Sequence, residues 1–219
     1  MSGPRRIDLG AIGAEGAAQL AEAVRGAHLV CFPTDTVYGV GGEARPDVVA
    51  ALVAAKGRDP GRPLQAVFPR IELLLAALQP TPRLAAALRA LLPGPVTLVV
   101  PHPAGVACPA PVLNERGEAT LGVRVPRWPA AAAAMATLPR PLVASSANPS
   151  GAPPAHRLDD VTPALRAACD LLLDAGPIGG TASTVVDLCG FAAGGAWRIL
   201  REGALATSEV AAALAAVAE

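Results

Sequence analysis

Short apolar runs recur along this chain, and each breaks off into a turn rich in Gly, Pro, Ser or Thr. A run that short, bounded by turn residues, reads as a strand covered on both faces, whereas the intervening Leu/Ala stretches carry helical spacing. Strands are predicted at 28–32, 64–68, 95–100, 120–125, 141–144, 170–174, 183–188 and 196–201. Helices are predicted at 15–25, 46–56, 70–78, 82–91, 130–137, 161–168 and 208–218. That alternation constrains the chain to an α/β fold with a largely buried sheet. Local signals set several boundaries. Pro46 suits a first helical turn and Gly57 a helix end; Thr81 followed by Pro82 reads as a capped helix start, and Thr207 and Ser208 are cap candidates for the closing helix. Residues 101–119 read as a long loop, which in a compact domain is usually mobile or functional. No repeat or linker interrupts the 219 residues, so one domain over 1–219 is expected.

Composition narrows the function classes. Hydrophobic residues make up 52%, much of it alanine, yet no run approaches the ~18 uninterrupted apolar residues of a membrane span. The N-terminus, MSGPRRIDLG, has no apolar segment behind its arginines, so no secretion signal is read and cytoplasmic residence is expected. Cys31, Cys108, Cys169 and Cys189 form no C-x-x-C pair and are expected as reduced, buried thiols. His28, His102 and His156 share no metal-like spacing, so no protein-ligated metal is expected. With 18 basic and 18 acidic residues the chain lacks the basic excess of a nucleic-acid-coating protein.

All the basic residues are arginine except Lys56; Tyr38 is the only tyrosine, and Asn148 is one of two asparagines. In a sequence drifting this far toward Arg and Ala, a rare residue that persists marks a place where its usual substitute fails. Arginine fails where a compact point charge is wanted, because its planar fork is larger and more weakly hydrated.

Six clusters carry candidate chemistry. FPTDTVYGVGG (32–42) combines hydroxyls with glycines that admit close backbone approach, as would a tight turn with capping threonines. KGRDPGRPL (56–64) sets Lys56, Arg58 and Arg62 on a helix exit and loop, suited either to a triphosphate or to solvent. In TLGVRVP (120–126), Leu121, Val123 and Val125 face one way, and Thr120, Gly122 and Arg124 the other. Arg124 is then a clamp for a carboxylate or phosphate, or an edge-strand arginine facing water. SSANPSG (145–151) puts small hydroxyls and an amide after a strand, where α/β sheets build ligand sites. STVVD (183–187) and RILREG (198–203) complete the set. The P-loop, the Rossmann glycine fingerprint and the nucleophile elbow are all missing. The residues therefore point to a cationic, hydroxyl-rich pocket for an anionic small molecule, with catalysis by positioning and charge.

In this order, PTDTVYG, KGR…PL, LGVRVP, SSANPSG, STVVD and ILREG closely resemble the YrdC/Sua5 family over about residues 15–205. The resemblance implies one α/β domain, a twisted mixed sheet flanked by helices around a large cationic cavity. It implies a nucleotidyltransferase that condenses L-threonine, bicarbonate and ATP, with Mg2+ accompanying the ATP, to threonylcarbamoyl-AMP and pyrophosphate. The product would pass to a separate complex that forms the t6A base of certain tRNAs, with weak or no RNA binding by this chain. Lys56, Arg58, Ser146 and Asn148 fall on the family's catalytic, nucleotide-contacting set. Thr36, Arg124 and Ser183 fall on threonine-binding positions, and Arg62, Thr120 and Arg201 on nucleotide-binding ones. No general base is assigned. Val67 stands where some longer members carry a histidine near the threonine, and the chain looks like the short, YrdC-type form. Two other classes fit less well. Carbamoyl-adenylate chemistry, as in family domains attached to carbamoyltransferases, lacks its partner domain here. A non-catalytic RNA-binding or ribosome-assembly role is opposed by the neutral net charge.

Overall fold

The structure is a computed structural model that describes residues 3–13, 16–57, 63–103, 111–149 and 151–217. The first half contains β1 (Arg5–Asp8), α1 (Gly16–Gly26), β2 (Val30–Phe32), β3 (Gly39–Glu43), α2 (Pro46–Lys56), β4 (Gln65–Val67), α3 (Ile71–Leu78), α4 (Pro82–Leu91) and β5 (Val96–Pro101). Then follow β6 (Val112–Leu113), β7 (Ala119–Arg124), β8 (Leu142–Ser146), α5 (Pro163–Ala167), β9 (Leu171–Asp174), β10 (Thr184–Asp187), α6 (Cys189–Ala192), β11 (Arg198–Arg201) and α7 (Thr207–Ala215). The strands form one mixed sheet in the order β1-β9-β2-β3-β8-β4-β7-β5-β10-β11, with β6 paired to the start of β7. The α/β expectation holds, and helices pack on the sheet.

The period of two along β7 decides what each face does. Leu121 and Val123 join Leu98 and Val100 of β5 in a core closed by α4 and α7, while Thr120, Gly122 and Arg124 turn to the opposite face. α2 runs as expected from Pro46, buries Val48 and Leu52, and ends at Gly57, whose left-handed φ of 54° suits glycine. Thr81 caps α4 by accepting from the Leu84 amide. Cys31, Cys169 and Cys189 are free and buried, as expected, and burial pushes the Cys169 and Cys189 thiols up to about 12; Cys108 lies outside the described residues.

Several expectations need correction. Ala130–Thr137 is a 3-10 segment kinked at Ala132, not an α-helix. Its buried residues Ala132 and Met135, with the buried cap residue Leu138, are spaced by three, and that spacing matches three residues per turn better than 3.6. Thr207 and Ser208 do not cap α7; the cap residue is Ala206, whose amide donates to Glu209, while Thr207 bonds Glu202. The 101–119 stretch contains β6, and residues 104–110 lie outside the description. β1, β3 and α6 went unread. β1 is a polar edge strand without alternation. β3 reads GVGGE, and glycine disfavours strands. Its glycine is nonetheless required, because a Cβ on Gly41 would lie 1.8 Å from the Val143 carbonyl oxygen of β8.

The lone tyrosine ties the entry of β3 to the end of β9. Tyr38 is fully buried; its hydroxyl donates to the Gly176 carbonyl at 2.9 Å, lies 3.2 Å from Asp174 Oδ1 and accepts from the Ala175 amide at 3.1 Å. Phenylalanine fills the same volume but leaves a part-buried donor and acceptor without their partner. Tyr38→Phe is therefore expected to lower unfolding free energy by about 1–3 kcal/mol in urea denaturation, with substrate KM values unchanged. Unaltered stability would contradict the fastening role.

Candidate active site

A cavity of about 1030 Å³ opens on the sheet face that carries Thr120, Gly122 and Arg124. It is large for a ligand pocket, whose usual range is ~300–1,000 Å³. Lys56 enters from the last turn of α2 and donates to Ser145 Oγ at 3.1 Å and the Ser146 carbonyl at 2.5 Å. It is thus held over the carboxyl end of β8. Arg58 and Arg62 lie outside the described residues. Asn148 follows β8. Its amide nitrogen donates to the Ala152 carbonyl at 2.6 Å, and its buried Oδ1 has no partner among the described residues. An acceptor kept dry in this way is costly unless a donor arrives.

Arg124 is 2% exposed on a strand flanked by β4 and β5, which rules out an edge arginine in water. Its Nη2 donates to Asp35 Oδ1 at 2.7 Å and Thr36 Oγ1 at 3.0 Å, and its buried Nε has no partner among the described residues. Burial pulls the guanidinium below its ordinary pKa, and the Asp35 carboxylate opposes that shift. Asp35 also accepts from the Arg127 amide at 3.0 Å, tying the β2–β3 turn to the end of β7. Thr36 is 1% exposed and also bonds Thr34 at 3.0 Å. It stands behind Arg124, whereas Arg124 itself is on the cavity wall. Asp35 escaped the sequence reading; the available signal was a carboxylate in a turn whose other side chains are apolar or hydroxylic.

Ser183, Thr120 and Arg201 also reach the cavity. Arg201 Nη2 donates to the Ser183 carbonyl at 2.7 Å, and Ser183 Oγ lies 2.9 Å from Thr97 Oγ1. Thr120 gives its proton to the Val112 carbonyl at 2.7 Å, which leaves only its oxygen lone pairs toward the cavity. At the rim, Arg198 bonds Asp187 at 3.2 Å and Glu115 at 3.0 Å, so this cation is neutralised locally. Arg201 has no carboxylate partner among the described residues. Among those residues no three His, Cys, Asp or Glu side chains converge as a metal site, and no helix is long and apolar enough to cross a membrane.

A Sua5/YciO/YrdC family profile, described as telomere recombination, matches residues 22–203. A relative from Mycobacterium leprae (strain TN) is 36% identical over 210 residues, covering 93% of this chain and 90% of its own. The threonylcarbamoyl-AMP synthase of Bacillus subtilis (strain 168) is 35% identical over 175 residues, covering 77% of this chain and 49% of that protein. Among solved structures, P. abyssi Sua5 complexed with L-threonine superposes with a TM-score of 0.76 at 30% identity, over 95% of this chain and 59% of that one. The chain thus spans nearly all of one relative and about half the length of the B. subtilis and P. abyssi proteins.

Proposed function

Because the chain belongs to the Sua5/YciO/YrdC family, we propose that it is an L-threonylcarbamoyladenylate synthase, joining L-threonine, bicarbonate and ATP into threonylcarbamoyl-AMP and pyrophosphate. The observation that carries this reading is the convergence of Lys56, Arg124, Ser146, Asn148, Ser183 and Arg201, from five separate motifs, on one cavity. The name of the B. subtilis relative and the threonine bound to P. abyssi Sua5 support it.

Arg124, steadied by Asp35 and Thr36, offers fixed N–H donors to the threonine carboxylate, with Ser183 beside it. The neutral threonine amine takes up the bicarbonate carbon as a carbamate, releasing water. A carbamate oxygen then forms a bond to the α-phosphorus in line as the bond to pyrophosphate breaks, and pyrophosphate leaves with the electron pair. Lys56, with Arg58 and Arg62 of the adjoining loop, spreads the triphosphate charge; Ser146, Asn148, Thr120 and Arg201 hold the nucleotide. Magnesium enters on the triphosphate as part of the substrate. No protein nucleophile is needed, in keeping with the missing hydrolase and P-loop motifs. The product is small and diffusible and passes to a separate tRNA-modifying complex. The test is pyrophosphate release by the purified chain. It should require threonine and bicarbonate together and be indifferent to tRNA; a tRNA requirement would overturn the reading.

A further inference from the structure

Gln65 is a polar residue that opens a central strand, followed by Ala66 and Val67, and it lines the cavity. It pairs with Gly122 of β7 on one side and Ala144 of β8 on the other. Although β7 separates β4 from β5, Gln65 Oε1 accepts a hydrogen bond from Thr97 Oγ1 of β5 at 3.1 Å. The two side chains meet over Gly122. A Cβ there would sit 3.6 Å from Thr97 Cγ2 and 3.7 Å from Gln65 Cβ, so a methyl fits beneath the bridge and a larger group would part it.

With Gln65 Oε1 as the acceptor from Thr97, the hydrogen bonds around it run in one direction. Arginine can only donate, and Arg201 Nη2 reaches Ser183 Oγ at 3.4 Å in addition to the Ser183 carbonyl. Thr97 has one proton, which goes to the Gln65 carbonyl oxygen, so Ser183 must donate in its 2.9 Å contact with Thr97. A single run of donors therefore leads from Arg201 through Ser183 and Thr97 to Gln65, each bond polarising the next. It ends on the Gln65 amide nitrogen, whose N–H groups meet no acceptor among the described residues.

Position then indicates what the amide meets. Val67 is in register with Arg124, and Ala144, the partner of Gln65, lies two residues before Ser146, which anchors Lys56. Along the cavity floor Gln65 thus lies between the level of the carboxylate clamp and the level of the triphosphate lysine. The carbon joined between the amine and the α-phosphate in the proposed reaction has to pass through that middle. A neutral donor suits it, since it orients a carbamate oxygen without the ion pair that would dull its nucleophilicity.

We propose, resting on the reaction given above, that the Gln65 amide binds the bicarbonate-derived carboxy group and that Thr97 is the positioning residue that aims it. The experiment is steady-state pyrophosphate release in carbonate-depleted buffer, with each substrate titrated in turn against saturating levels of the other two. Gln65→Leu should raise the bicarbonate KM at least tenfold while the threonine and ATP KM values stay within twofold. Thr97→Val should move the same constant less, and Gln65→Glu should be worse than Gln65→Leu, because a carboxylate repels the anion. An unchanged bicarbonate KM in Gln65→Leu, or an equal rise for all three substrates, overturns the proposal. If Gln65→Leu loses its thermal transition, Thr97→Val decides by the same criterion. A wild-type protein that does not need bicarbonate overturns the reaction itself, a failure visible before any variant is made.

Discussion

Replacing Lys56 by arginine should lower threonine- and bicarbonate-dependent turnover about a hundred- to a thousandfold, the loss of ~2.7–4 kcal/mol expected when one well-placed donor to developing charge is removed. The substitution keeps the charge, so a merely electrostatic role gives near-normal activity. Geometry argues otherwise. The ammonium is seated against two acceptors on consecutive residues, Ser145 Oγ and the Ser146 carbonyl. A compact tetrahedral group fits that seat, and a planar fork on a longer stem projects past it. Lys56→Ala should lose at least as much activity. Both variants should melt close to wild type, because α2 is anchored by Val48 and Leu52 and a cation in a last helical turn contributes only ~0.3–1 kcal/mol. Near-normal turnover by Lys56→Arg would contradict the point-charge role, and with it the inference drawn from lysine's scarcity.

Arg124→Ala should produce two separable losses. Removing charge-assisted donors worth ~1.5–3 kcal/mol should raise the threonine KM about ten- to a hundredfold with the ATP KM little changed. The second loss comes from Asp35, whose side chain is 9% exposed and would be left buried beside a void. Breaking a buried pair in this way costs about 3–5 kcal/mol of stability. The double variant Asp35→Ala/Arg124→Ala should recover much of the stability in urea denaturation and none of the threonine KM. A raised ATP KM with threonine unaffected would show that Arg124 serves the nucleotide instead.

Legibility in the sequence followed the range of the interactions. The faces of β7 were readable because the strand period is local, and α2 was readable because Pro46 and Gly57 mark its ends. Lys56 and Arg124 stood out as charges inside apolar or turn-rich motifs. Asp35, Gln65 and Thr97 did not, because their roles exist only in the assembled sheet. Asp35 needs Arg124, 89 residues away, and Gln65 meets Thr97 only because β4 and β5 flank a glycine on β7. Tyr38 was marked by rarity, but its hydroxyl partners at 174–176 are fixed by the pairing of β9 with β2. The edge strand β1 and the glycine-built β3 lack the apolar alternation on which strand reading depends.

The most direct measurement is mass spectrometry of the adenylate formed from ATP, L-threonine and 13C-labelled bicarbonate by the purified chain without RNA. Threonylcarbamoyl-AMP carrying a single 13C, formed only when all three substrates are present and in step with pyrophosphate, is the expected result. An unlabelled adenylate of threonine, or pyrophosphate released without threonine or bicarbonate, would contradict the assignment.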